Sequence, residues 1–489
     1  MIHSDIDTLE ANAKAELDAL LAKETVSLKD KLAITPQRPK ELLPLERRTS
    51  FDETNLGLTE SQARLEASRC MKCKKPFCTA SCPIGMPVPA YLEYVAAGNF
   101  EEAIKLIRDT SLFPSICSRV CPHEKQCQMN CAIGKSLKDP SKGLSLGNLE
   151  RFCADYERLH LGGKKPLPVD APTGKKVAVI GGGPAGLAAA LDLRTFGHDV
   201  VIFESAKELG GVLRYGIPEF RLPKSILDYE LSILSTMGIS CRTGVTVGKD
   251  ITIPELFNNE NFDAVFIGNG AGLALKTGVP GEDLKGVFTA EEYLRKGNLR
   301  EEIASGENVV IVGGGNVAMD ASRMAFRLGA KKVRIVYRRT RNEMPACKAE
   351  ITEALEEGVE VLELKNPAEI LGDDLGRVQK IRLDLFELGE PDEQGRARPV
   401  KIEGQEEFID ADTVVLAIGS KVSSEIKDST PGLETNRNGT FVVQDPETGL
   451  TSCKNVYVGG DAMHGPQTVV LAMKTGRTAA KAIHETLMN

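Results

Sequence analysis

The sequence predicts an α/β protein in which a small α-helical N-terminal domain is followed by two interleaved domains of alternating strands and helices. The first observation is that eight of the 12 cysteines fall between residues 70 and 131, in helix-forming sequence. The second is that two glycine-rich loops, each between a buried strand and a helix, lie about 130 residues apart. A chain of 489 residues accommodates about three domains at roughly 150 residues each.

The composition is that of a globular protein, with 42% hydrophobic and 27% charged residues and a formal net charge of −8. This excludes a disordered or fibrous class, and there is no basic surplus that would indicate nucleic-acid binding. The longest apolar runs, such as 177–180 and 414–418, are too short to cross a bilayer. Residues 1–20 contain no apolar stretch of the signal-peptide type. We therefore expect a cytoplasmic protein that binds neither nucleic acid nor membrane.

The helical N-terminal domain is predicted to span residues 1–165, including a charged N-terminal arm that ends near residue 50. Thr59 is a candidate N-cap for a helix over 60–71, which would deliver the first cysteines at its end. Helical patterns continue over 90–107 and 149–159. A core this small does not account for a stable domain without a metal.

The cysteines of this domain form two runs with short spacings. Disulfides stay reduced in the cytosol, so clustered thiols there more often hold metal. Zinc is the alternative to iron, but zinc ribbons present separated C-x-x-C pairs, and only Cys70 and Cys73 have that form. Eight thiolates suffice for two four-iron clusters, which is our prediction. The candidate ligands are Cys70, Cys73, Cys78, Cys82, Cys117, Cys121, Cys127 and Cys131.

The first glycine loop has the G-x-G-x-x-G form and follows a Pro/Gly-rich linker near 166–174. Its glycines permit a tight turn, a close approach to a pyrophosphate and close packing of helix on strand. An acid ends the next strand, where it can accept hydrogen bonds from a ribose diol. The alternative interpretation is a structural turn. The predicted dinucleotide site comprises Gly181, Gly183, Pro184, Ala185, Gly186 and Glu204.

The second glycine loop has the G-x-G-x-x-A form, and the strand that follows it ends in two arginines instead of an acid. Guanidinium groups suit a 2′-phosphate because they present a planar fork of donors to phosphate oxygens. This favours NADP(H) over NAD(H). The alternative is a solvated basic pair at a strand end. The predicted residues are Gly313, Gly315, Asn316, Val317, Arg338 and Arg339.

A third strand near the C-terminus, over 455–461, runs into a glycine turn with Gly460 and Asp461, and Thr468 begins a helix. Taken alone, Asp461 could simply cap an ordinary loop. The strand, turn and helix resemble those that close over the flavin in two-dinucleotide flavoproteins, and this resemblance implies that residues 409–489 complete the first dinucleotide domain, which begins with residues 171–300. The second domain is then predicted over 301–408.

Together these motifs resemble the small (β) subunit family of NADPH-dependent glutamate synthase. The resemblance rests on cysteines 70–131, on segments 210–224, 313–320, 337–340 and 344–346, and on the turn 459–461. It covers roughly residues 35–485. The wider family is similar to the large subunit of the bifurcating NADH-dependent ferredoxin:NADP oxidoreductase and to the N-terminal half of dihydropyrimidine dehydrogenase.

The resemblance implies FAD on the first dinucleotide domain, NADP(H) on the second and two [4Fe–4S] clusters. It adds Gly211 and Arg214 to the flavin site, places Asp461 on the ribityl chain and brings the helix that begins at Thr468 to the flavin N1/O2 edge. Cys70, Cys73, Cys78 and Cys131 would bind one cluster, and Cys82, Cys121 and Cys127 the other. The fourth ligand of that second cluster would be Glu150 or Cys117.

The implied function is an NADPH-dependent oxidoreductase that passes electrons through FAD to the clusters, with no catalytic side chain because the cofactors carry the chemistry. We expect a hetero-oligomer with a second redox subunit, of the glutamate synthase large-subunit type. The alternative is a bifurcating complex with a smaller flavoprotein or ferredoxin-type partner. A zinc- and nucleotide-stabilised assembly factor is the non-enzymatic alternative.

Overall fold

The computed structural model describes residues 5–393 and 395–489. The first four residues of the predicted N-terminal arm, and Gln394 in the predicted second dinucleotide domain, lie outside the described residues. The described chain joins a helical N-terminal region to two mainly parallel sheets covered by helices, which confirms the predicted fold class.

The N-terminal region is helical, with short 3₁₀ turns at His123–Lys125 and Pro140–Lys142. A reciprocal capping box between Thr59 and Gln62 begins its fourth helix, as the sequence predicts. The pattern over 90–107 is two helices, because Gly98 takes a left-handed φ of 84° and ends the first. The helices are α1 (Ile6–Leu21), α2 (Leu28–Ala33), α3 (Pro44–Arg47), α4 (Glu60–Ser68), α5 (Phe77–Ala80), α6 (Val88–Ala97), α7 (Phe100–Thr110), α8 (Pro114–Val120), α9 (Ala132–Ser136) and α10 (Leu146–His160).

The predicted arm is packed against this region. Side chains of α1 form a small core with α4 that contains Ala13, Leu17, Leu20, Ile34 and Leu65. The carboxylate of Glu10 accepts hydrogen bonds from the Ser61 backbone N–H at 3.1 Å and from its hydroxyl at 2.6 Å. The arm is therefore held by apolar burial and by a charge at the N-terminus of α4.

The first dinucleotide unit begins with β1 (Lys176–Ile180), α11 (Pro184–Thr195), β2 (Asp199–Glu204), α12 (Val212–Tyr215), α13 (Lys224–Thr236), β3 (Ser240–Thr243), α14 (Ile253–Asn258), β4 (Ala264–Ile267) and β5 (Leu273–Ala274). The C-terminal part of the chain returns to this unit, so its sheet has seven strands although only four of them precede residue 270. Parallel pairing of β1 with both β2 and β4 places β1 in the interior of the sheet, between these two strands.

The second unit contains β6 (Val287–Thr289), α15 (Ala290–Leu299), β7 (Asn308–Val312), α16 (Asn316–Arg327), β8 (Lys332–Tyr337), α17 (Lys348–Glu356), β9 (Glu360–Glu363), β10 (Lys365–Gly372), β11 (Val378–Pro391), β12 (Ala397–Asp410) and β13 (Thr413–Leu416). Its parallel sheet has the order β6-β13-β7-β8-β9, and β10 to β12 form a separate antiparallel sheet. Strands β6 and β13 thus extend this unit to both sides of the predicted range 301–408.

The chain then completes the first unit with β14 (Ser420–Lys421), α18 (Glu425–Asp428), β15 (Val443–Asp445), β16 (Leu450–Thr451), β17 (Val456–Val458), α19 (Asp461–His464) and α20 (Val469–Met488). Strand β17 pairs in parallel with β4, and the full order of the sheet is β15-β16-β17-β4-β1-β2-β3. Helix α20 packs on α11, the helix that follows the first glycine loop.

A buried ionic network joins the arm, the first unit and the second unit. Arg221, from the first unit, pairs with Asp320 on α16 at 2.8 Å and with Glu350 on α17 at 2.9 Å. Arg47, whose side chain is fully buried in the arm, pairs with Glu357 of the second unit at 3.2 Å. Because both arginines are desolvated, the network depends on keeping all its members paired.

Among the described residues, none of the helices is both long enough and apolar enough to span a membrane.

Candidate functional site

The first set of predicted ligands lines a closed cavity between the helical region and α20, which we call the inner cavity. Its sulfur and oxygen donors are Cys82, Cys117, Cys121, Cys127 and Glu150, surrounded by the apolar side chains of Ile84, Met86, Val88, Leu146 and Val470. The helical region supplies the donors, and α20 supplies Val470. The cavity therefore holds both candidates for the disputed fourth ligand.

The remaining four predicted ligands line a second cavity, the outer cavity, formed by Cys70, Cys73, Cys78 and Cys131 with Met71, Val88, Pro89, Ala132, Ile133, Leu144 and Leu146. Val88 and Leu146 belong to both cavities. The thiols thus separate into the two sets that the family resemblance implies, although they are far apart in sequence. Burial raises the pKa of the Cys78 thiol to about 11, so thiolates here need a cation to stabilise them.

Lysines alternate in sequence with three cysteines of the outer cavity. The segments 71–80 and 128–138, which carry three of its four cysteines, contain Lys72, Lys74, Lys75, Lys135 and Lys138 and no acidic residue. The ammonium of Lys135 lies 4.7 Å from the ring centre of Phe77, a side chain that is 57% exposed. One of the five lysines, Lys72, pairs with an exposed glutamate. This side of the helical region is basic although the whole chain is acidic.

Glu150 is a buried carboxyl group whose Oε1 has no hydrogen-bond partner within residues 5–393 and 395–489. Burial, with a smaller contribution from the charge of Glu230, raises the pKa of Glu150 to about 8. A buried ionised carboxylate without a partner is costly, and a bound cation removes that cost. The side chain therefore fits a metal ligand.

Cys117 lies in the same cavity but has a sulfur contact of its own, because its Sγ is 3.7 Å from Sδ of Met473 on α20. His123 also lines the cavity, and its Nε2 has no partner in the described chain. Burial lowers the pKa of His123 to about 4, so its ring is neutral at pH 7. The sequence analysis missed His123, because a single histidine in a cysteine loop carries no spacing signal.

The arrangement of these donors favours clusters over single ions. In the described parts of the chain, no group of three or more His, Cys, Asp or Glu side chains has the geometry to hold one metal ion. Zinc needs four donors about 2.0–2.3 Å from one centre. In a [4Fe–4S] cluster each thiolate binds a different iron, so four donors spread around a cavity fit it.

The first glycine loop packs closely against the chain's own backbone and leads into a helix N-terminus. Gly181 has φ of 98°, and a Cβ atom there would lie 2.4 Å from the Gly268 carbonyl oxygen. The loop leads directly into α11, so backbone N–H groups at the start of this helix are available to an anion. Gly211, with φ of 53°, faces Gly183 across the loop, where a Cβ atom would lie 2.9 Å from Gly183 Cα. Neither position has room for a side chain, because the chain's own backbone packs closely around the loop.

Glu204, at the end of β2, accepts a hydrogen bond from the Gly182 N–H at 2.7 Å and one from the Ala206 N–H at 2.8 Å. A carboxylate has about four acceptor sites, so it keeps capacity for a ribose hydroxyl. Arg214 is engaged within the chain instead, because it donates to the Leu209 carbonyl and pairs with Glu208 at 3.1 Å. The guanidinium of Arg214 is therefore not free to make the predicted contact with a cofactor.

The predicted flavin residues at the C-terminus lie together beside the first loop. A Cβ atom at Gly460 would lie 2.8 Å from Cβ of Ala185. Asp461 follows, and burial raises its pKa to about 6 although the Gln467 N–H donates to it at 3.1 Å. Thr468 is the N-cap residue of α20 but makes no side-chain cap, and its buried hydroxyl has no partner among the described residues. An unpartnered buried hydroxyl at a helix N-terminus fits a polar cofactor edge.

The second glycine loop has the same construction. Gly313 has φ of 143°, and Gly315 has open space where a Cβ atom would stand. Asn316 begins α16, and its Oδ1 accepts a hydrogen bond from the Cys347 N–H at 2.8 Å. Val317 is 45% exposed. The loop is open to a nucleotide and is supported from behind by the segment around Cys347.

The two predicted phosphate-binding arginines differ in their surroundings. Arg338 is exposed and makes no ion pair or hydrogen bond to another described residue. Arg339 is buried, donates to the Ala397 carbonyl at 2.7 Å and lies 3.5 Å from Asp392. Arg338 is therefore the guanidinium that is available to a ligand, and Arg339 anchors β12.

Two glycine loops on parallel sheets beside two cysteine-lined cavities define a dinucleotide-dependent redox protein. The family profile of the pyridine nucleotide-disulphide oxidoreductases matches residues 175–476, and that of dihydropyrimidine dehydrogenase domain II, 4Fe-4S cluster, matches residues 47–161. The chain is also 36% identical to the glutamate synthase [NADPH] small chain of Halomonas elongata, over 91% of this chain and 95% of that one. It belongs to this glutamate synthase small-chain family within the pyridine nucleotide-disulphide oxidoreductases.

Other similarities are more distant or cover less of the relative. The chain is 38% identical to the NADP(+)-dependent formate dehydrogenase subunit beta of Moorella thermoacetica, over 84% of this chain and 60% of that protein. The structure of Mycobacterium tuberculosis FprA in complex with NADPH aligns with a TM-score of 0.53 and 23% identity, over 64% of this chain and 84% of that one. The latter shows a shared fold.

These findings confirm the predicted family and enzyme class, since the chain is an NAD(P)H-dependent flavoprotein oxidoreductase with a 4Fe–4S domain. They also confirm FAD, NADP(H) and [4Fe–4S] clusters as its cofactors. The individual site residues and the domain boundaries remain predictions.

Proposed function

We propose that the chain carries electrons from NADPH, through FAD and two [4Fe–4S] clusters, to a second redox subunit. One observation carries this proposal: helix α20 belongs to both the predicted flavin site and the inner cavity. Thr468 is its N-cap residue at the flavin end, and Val470, two residues later, lines the cavity. Met473 of the same helix contacts Cys117. The flavin and the inner cluster would therefore be neighbours.

Each part of the chain has a positioning role in this relay. When bound, FAD accepts a hydride from NADPH and releases single electrons to the iron–sulfur clusters. The N–H groups that begin α11 and α16 hold the two pyrophosphates, and Glu204 orients the flavin nucleotide through its ribose. Arg338 holds the 2′-phosphate, which distinguishes NADPH from NADH. The apolar walls of both cavities exclude water from the clusters.

We assign the outer cluster to Cys70, Cys73, Cys78 and Cys131 and the inner cluster to Cys82, Cys121, Cys127 and Glu150. Glu150 is preferred to Cys117 because its buried oxygen has no other partner, whereas Cys117 is in contact with Met473. An oxygen ligand binds iron more weakly than a thiolate does and shifts the potential of its cluster.

The outer cavity is the proposed exit for electrons, because the cysteines of its segment 71–80 alternate with exposed side chains. The partner that fits the family is a large subunit of the glutamate synthase type, and the assembly is a hetero-oligomer. A reducing compartment keeps cluster thiols available, which supports a cytoplasmic location.

Metal and flavin analysis of anaerobically purified protein tests the proposal, together with identification of the chain that co-purifies with it. We expect about eight irons, acid-labile sulfide and one FAD per chain. Cys78→Ser should damage one cluster and leave FAD bound, and Cys241→Ser, at an exposed thiol outside both cavities, is the matched control. Two zincs without sulfide, or loss of flavin from a soluble Cys78→Ser protein, would contradict the assignment.

Stopped-flow absorbance then tests the order of the relay. After anaerobic mixing with NADPH, flavin absorbance should fall before the iron–sulfur absorbance does, and in Cys78→Ser the second phase should lose about half its amplitude. Cluster bleaching without flavin reduction would overturn the proposed order.

A further inference from the structure

The loop of the inner cavity is bonded directly to the second dinucleotide unit, about 220 residues further along the chain. The 3₁₀ turn at His123–Lys125 lies between the cysteines Cys121 and Cys127. Its two charged side chains reach across to the segment 345–349. This contact is separate from the flavin site and from α20.

Glu124 binds the start of α17. Its carboxylate accepts a hydrogen bond from the Lys348 N–H at 2.6 Å and a longer one from the Ala349 N–H at 3.4 Å. Cys347, the N-cap of α17, makes no side-chain cap, so Glu124 from the helical region takes that role. The carboxylate also complements the positive end of the helix dipole.

Lys125 binds the residues just before this helix. Its ammonium donates to the carbonyls of Pro345 and Ala346, at 3.1 Å in the case of Ala346. Pro345 and Ala346 thus present their carbonyl oxygens to a cation that is two residues from a predicted cluster ligand. We call Glu124 and Lys125 the bridge.

The segment that the bridge holds is the same one that supports the second glycine loop. The Ala346 N–H donates to the Gly314 carbonyl at 3.2 Å, and the Cys347 N–H donates to Asn316 Oδ1 at 2.8 Å. The Asn316 amide in turn lies 3.8 Å from the Cys347 sulfur. A continuous set of hydrogen bonds therefore connects the nucleotide loop to the cluster loop.

We propose that Glu124 and Lys125 couple the oxidation state of the inner cluster to nucleotide occupancy of the second glycine loop, so that reduction of the cluster weakens nucleotide binding. This rests on the proposed function, because it requires both ligands. Reduction adds a negative charge near Lys125, which then competes with the Pro345 and Ala346 carbonyls for the ammonium. Loss of that contact loosens the segment behind Asn316.

The coupling is reciprocal by thermodynamic necessity. A nucleotide that holds residues 345–347 in place keeps Lys125 on the carbonyls and thereby disfavours reduction of the cluster. The functional result is that the oxidised nucleotide is released once its electrons have moved on. Glu124 and Lys125 are positioning residues, since they act through the loops and touch neither cofactor.

The test uses 2′-phospho-ADP-ribose, a redox-inert probe that keeps the pyrophosphate and the 2′-phosphate. Its dissociation constant is measured by anaerobic calorimetry on the holoprotein, before and after reduction with dithionite. We expect binding about fivefold weaker after reduction, at the low end for coupled sites because Lys125 is exposed. The midpoint potential of the inner cluster, followed by EPR, should fall by about 40 mV when the probe is bound, at 59 mV per tenfold.

Variants distinguish coupling through the bridge from a direct electrostatic effect of the charge of the probe on the cluster. Lys125→Met should reduce the fivefold ratio to about one and abolish the potential shift, and Lys125→Arg should restore both. Glu124→Gln should weaken the coupling by removing the charge that caps α17. Lys138→Met, a lysine of the same region outside the bridge, is the matched control and should behave as the parent does.

Three outcomes overturn this inference. They are a parent protein with equal affinities in the two oxidation states, a Lys125→Met variant with the parental shift, and a Lys138→Met variant that loses it. FAD content and the cluster spectrum show whether each variant is folded and loaded. If the parent contains no clusters or does not bind the probe, the proposed function itself fails, which is a distinguishable result.

Discussion

At the scale of single residues, the most informative group in the inner cavity is a carboxyl group that is buried among apolar side chains. Glu150 has an oxygen without a hydrogen-bond partner in the described part of the chain, and burial raises the pKa of this carboxyl group to about 8. A protein retains such a group where a ligand compensates the cost of desolvation. Cys117, by contrast, is a buried thiol of the kind that packs as a small hydrophobic side chain.

Substitution of each candidate for the fourth ligand should have a different effect on the EPR spectrum of the clusters. Glu150→Ala should change the EPR signal and the potential of one cluster, because it removes an iron ligand. Cys117→Ser should leave both unchanged, since we propose Glu150 and not this thiol as the ligand. The measurement is EPR-monitored redox titration of both variants. The opposite pattern would assign the ligand to Cys117.

The arginines after β8 predict the preference for NADPH. Arg338→Ala should lower kcat/KM for NADPH by about tenfold or more, because a charged hydrogen bond contributes roughly 1.5 to 3 kcal/mol. The value for NADH should change little. Arg339→Ala should affect both cofactors alike, since it disturbs β12. The measurement is the NADPH/NADH ratio of kcat/KM with an artificial acceptor, and an unchanged ratio in Arg338→Ala would make that residue a solvated strand end.

Residue types and short spacings predict which thiols and glycines take part, because a glycine loop between strand and helix is a local pattern. They do not predict burial or long-range contacts. The sequence therefore leaves Glu150 and Cys117 as alternatives and treats Arg338 and Arg339 as a pair. The difference within each pair arises from elements elsewhere in the chain, which are α20 for the first and β12 for the second.

At the scale of elements, α8 and α13 are joined by a buried acid. Glu230 on α13 accepts hydrogen bonds from Arg108 at 2.9 Å, from the Ser115 N–H at 3.1 Å and from Lys164 at 3.3 Å. Burial acts to raise the pKa of Glu230, but the charges of Arg108 and Lys164 outweigh it and lower the pKa to about 2. This group fixes the helical region to the first dinucleotide unit.

Glu230→Gln should lower the free energy of unfolding by about 3–5 kcal/mol, because it leaves Lys164 buried without its charge partner and leaves Arg108 paired with Glu157 alone. The stabilisation by Glu230 is complete above its unfolded pKa of about 4.5 and is lost as the pH falls towards 2. Denaturant unfolding from pH 7 to pH 3 measures both effects. Glu93→Gln, at an exposed pair, should change stability by less than about 1 kcal/mol. Equal effects of the two substitutions would refute the role of Glu230.

The strands and helices of the glycine-loop units follow the predicted pattern because their apolar runs are continuous and bounded by glycine. The predicted boundaries place strands β6 and β13 in the first unit, because a short apolar strand carries no local signal that indicates which sheet it joins. Strands β11 and β12 are long, largely exposed and rich in charge, so they carry little apolar periodicity. The sequence predicts the elements that pair with their neighbours in the chain. It does not predict which sheet a strand joins when its partner comes from a distant segment.

At the scale of the whole molecule, the buried network of Arg47 and Arg221 connects the arm to the two dinucleotide units. Arg47 is fully buried and pairs with Glu41, Glu356 and Glu357. The arm thus bonds to the second unit across about 300 residues of sequence. Contacts of this range hold the two nucleotide sites in one relative orientation, which hydride transfer between them requires.

Arg47→Met should lower the free energy of unfolding by about 3–5 kcal/mol, because three carboxylates lose a buried counter-charge. It should also expose the segment before residue 50 to limited proteolysis while the remainder stays folded. Lys29→Met, at an exposed basic residue of the same arm, is the control. A resistant arm in Arg47→Met would show that apolar packing alone holds it.

The lysines beside the outer cavity have a kinetic consequence. A patch of cations on a chain with a net charge of −8 orients an acidic protein during diffusional encounter, and repulsion elsewhere suppresses unproductive collisions. With an acidic carrier protein as electron acceptor, the second-order rate constant should fall as ionic strength rises from 0.01 to 0.15 M, over which the Debye length shrinks from about 30 to 8 Å. Lys74→Glu with Lys75→Glu should flatten this dependence, whereas reduction of a small uncharged dye should be indifferent to both salt and substitution. The lysines beside the outer cavity would then select encounter partners by long-range electrostatic attraction, before the two protein surfaces are in contact.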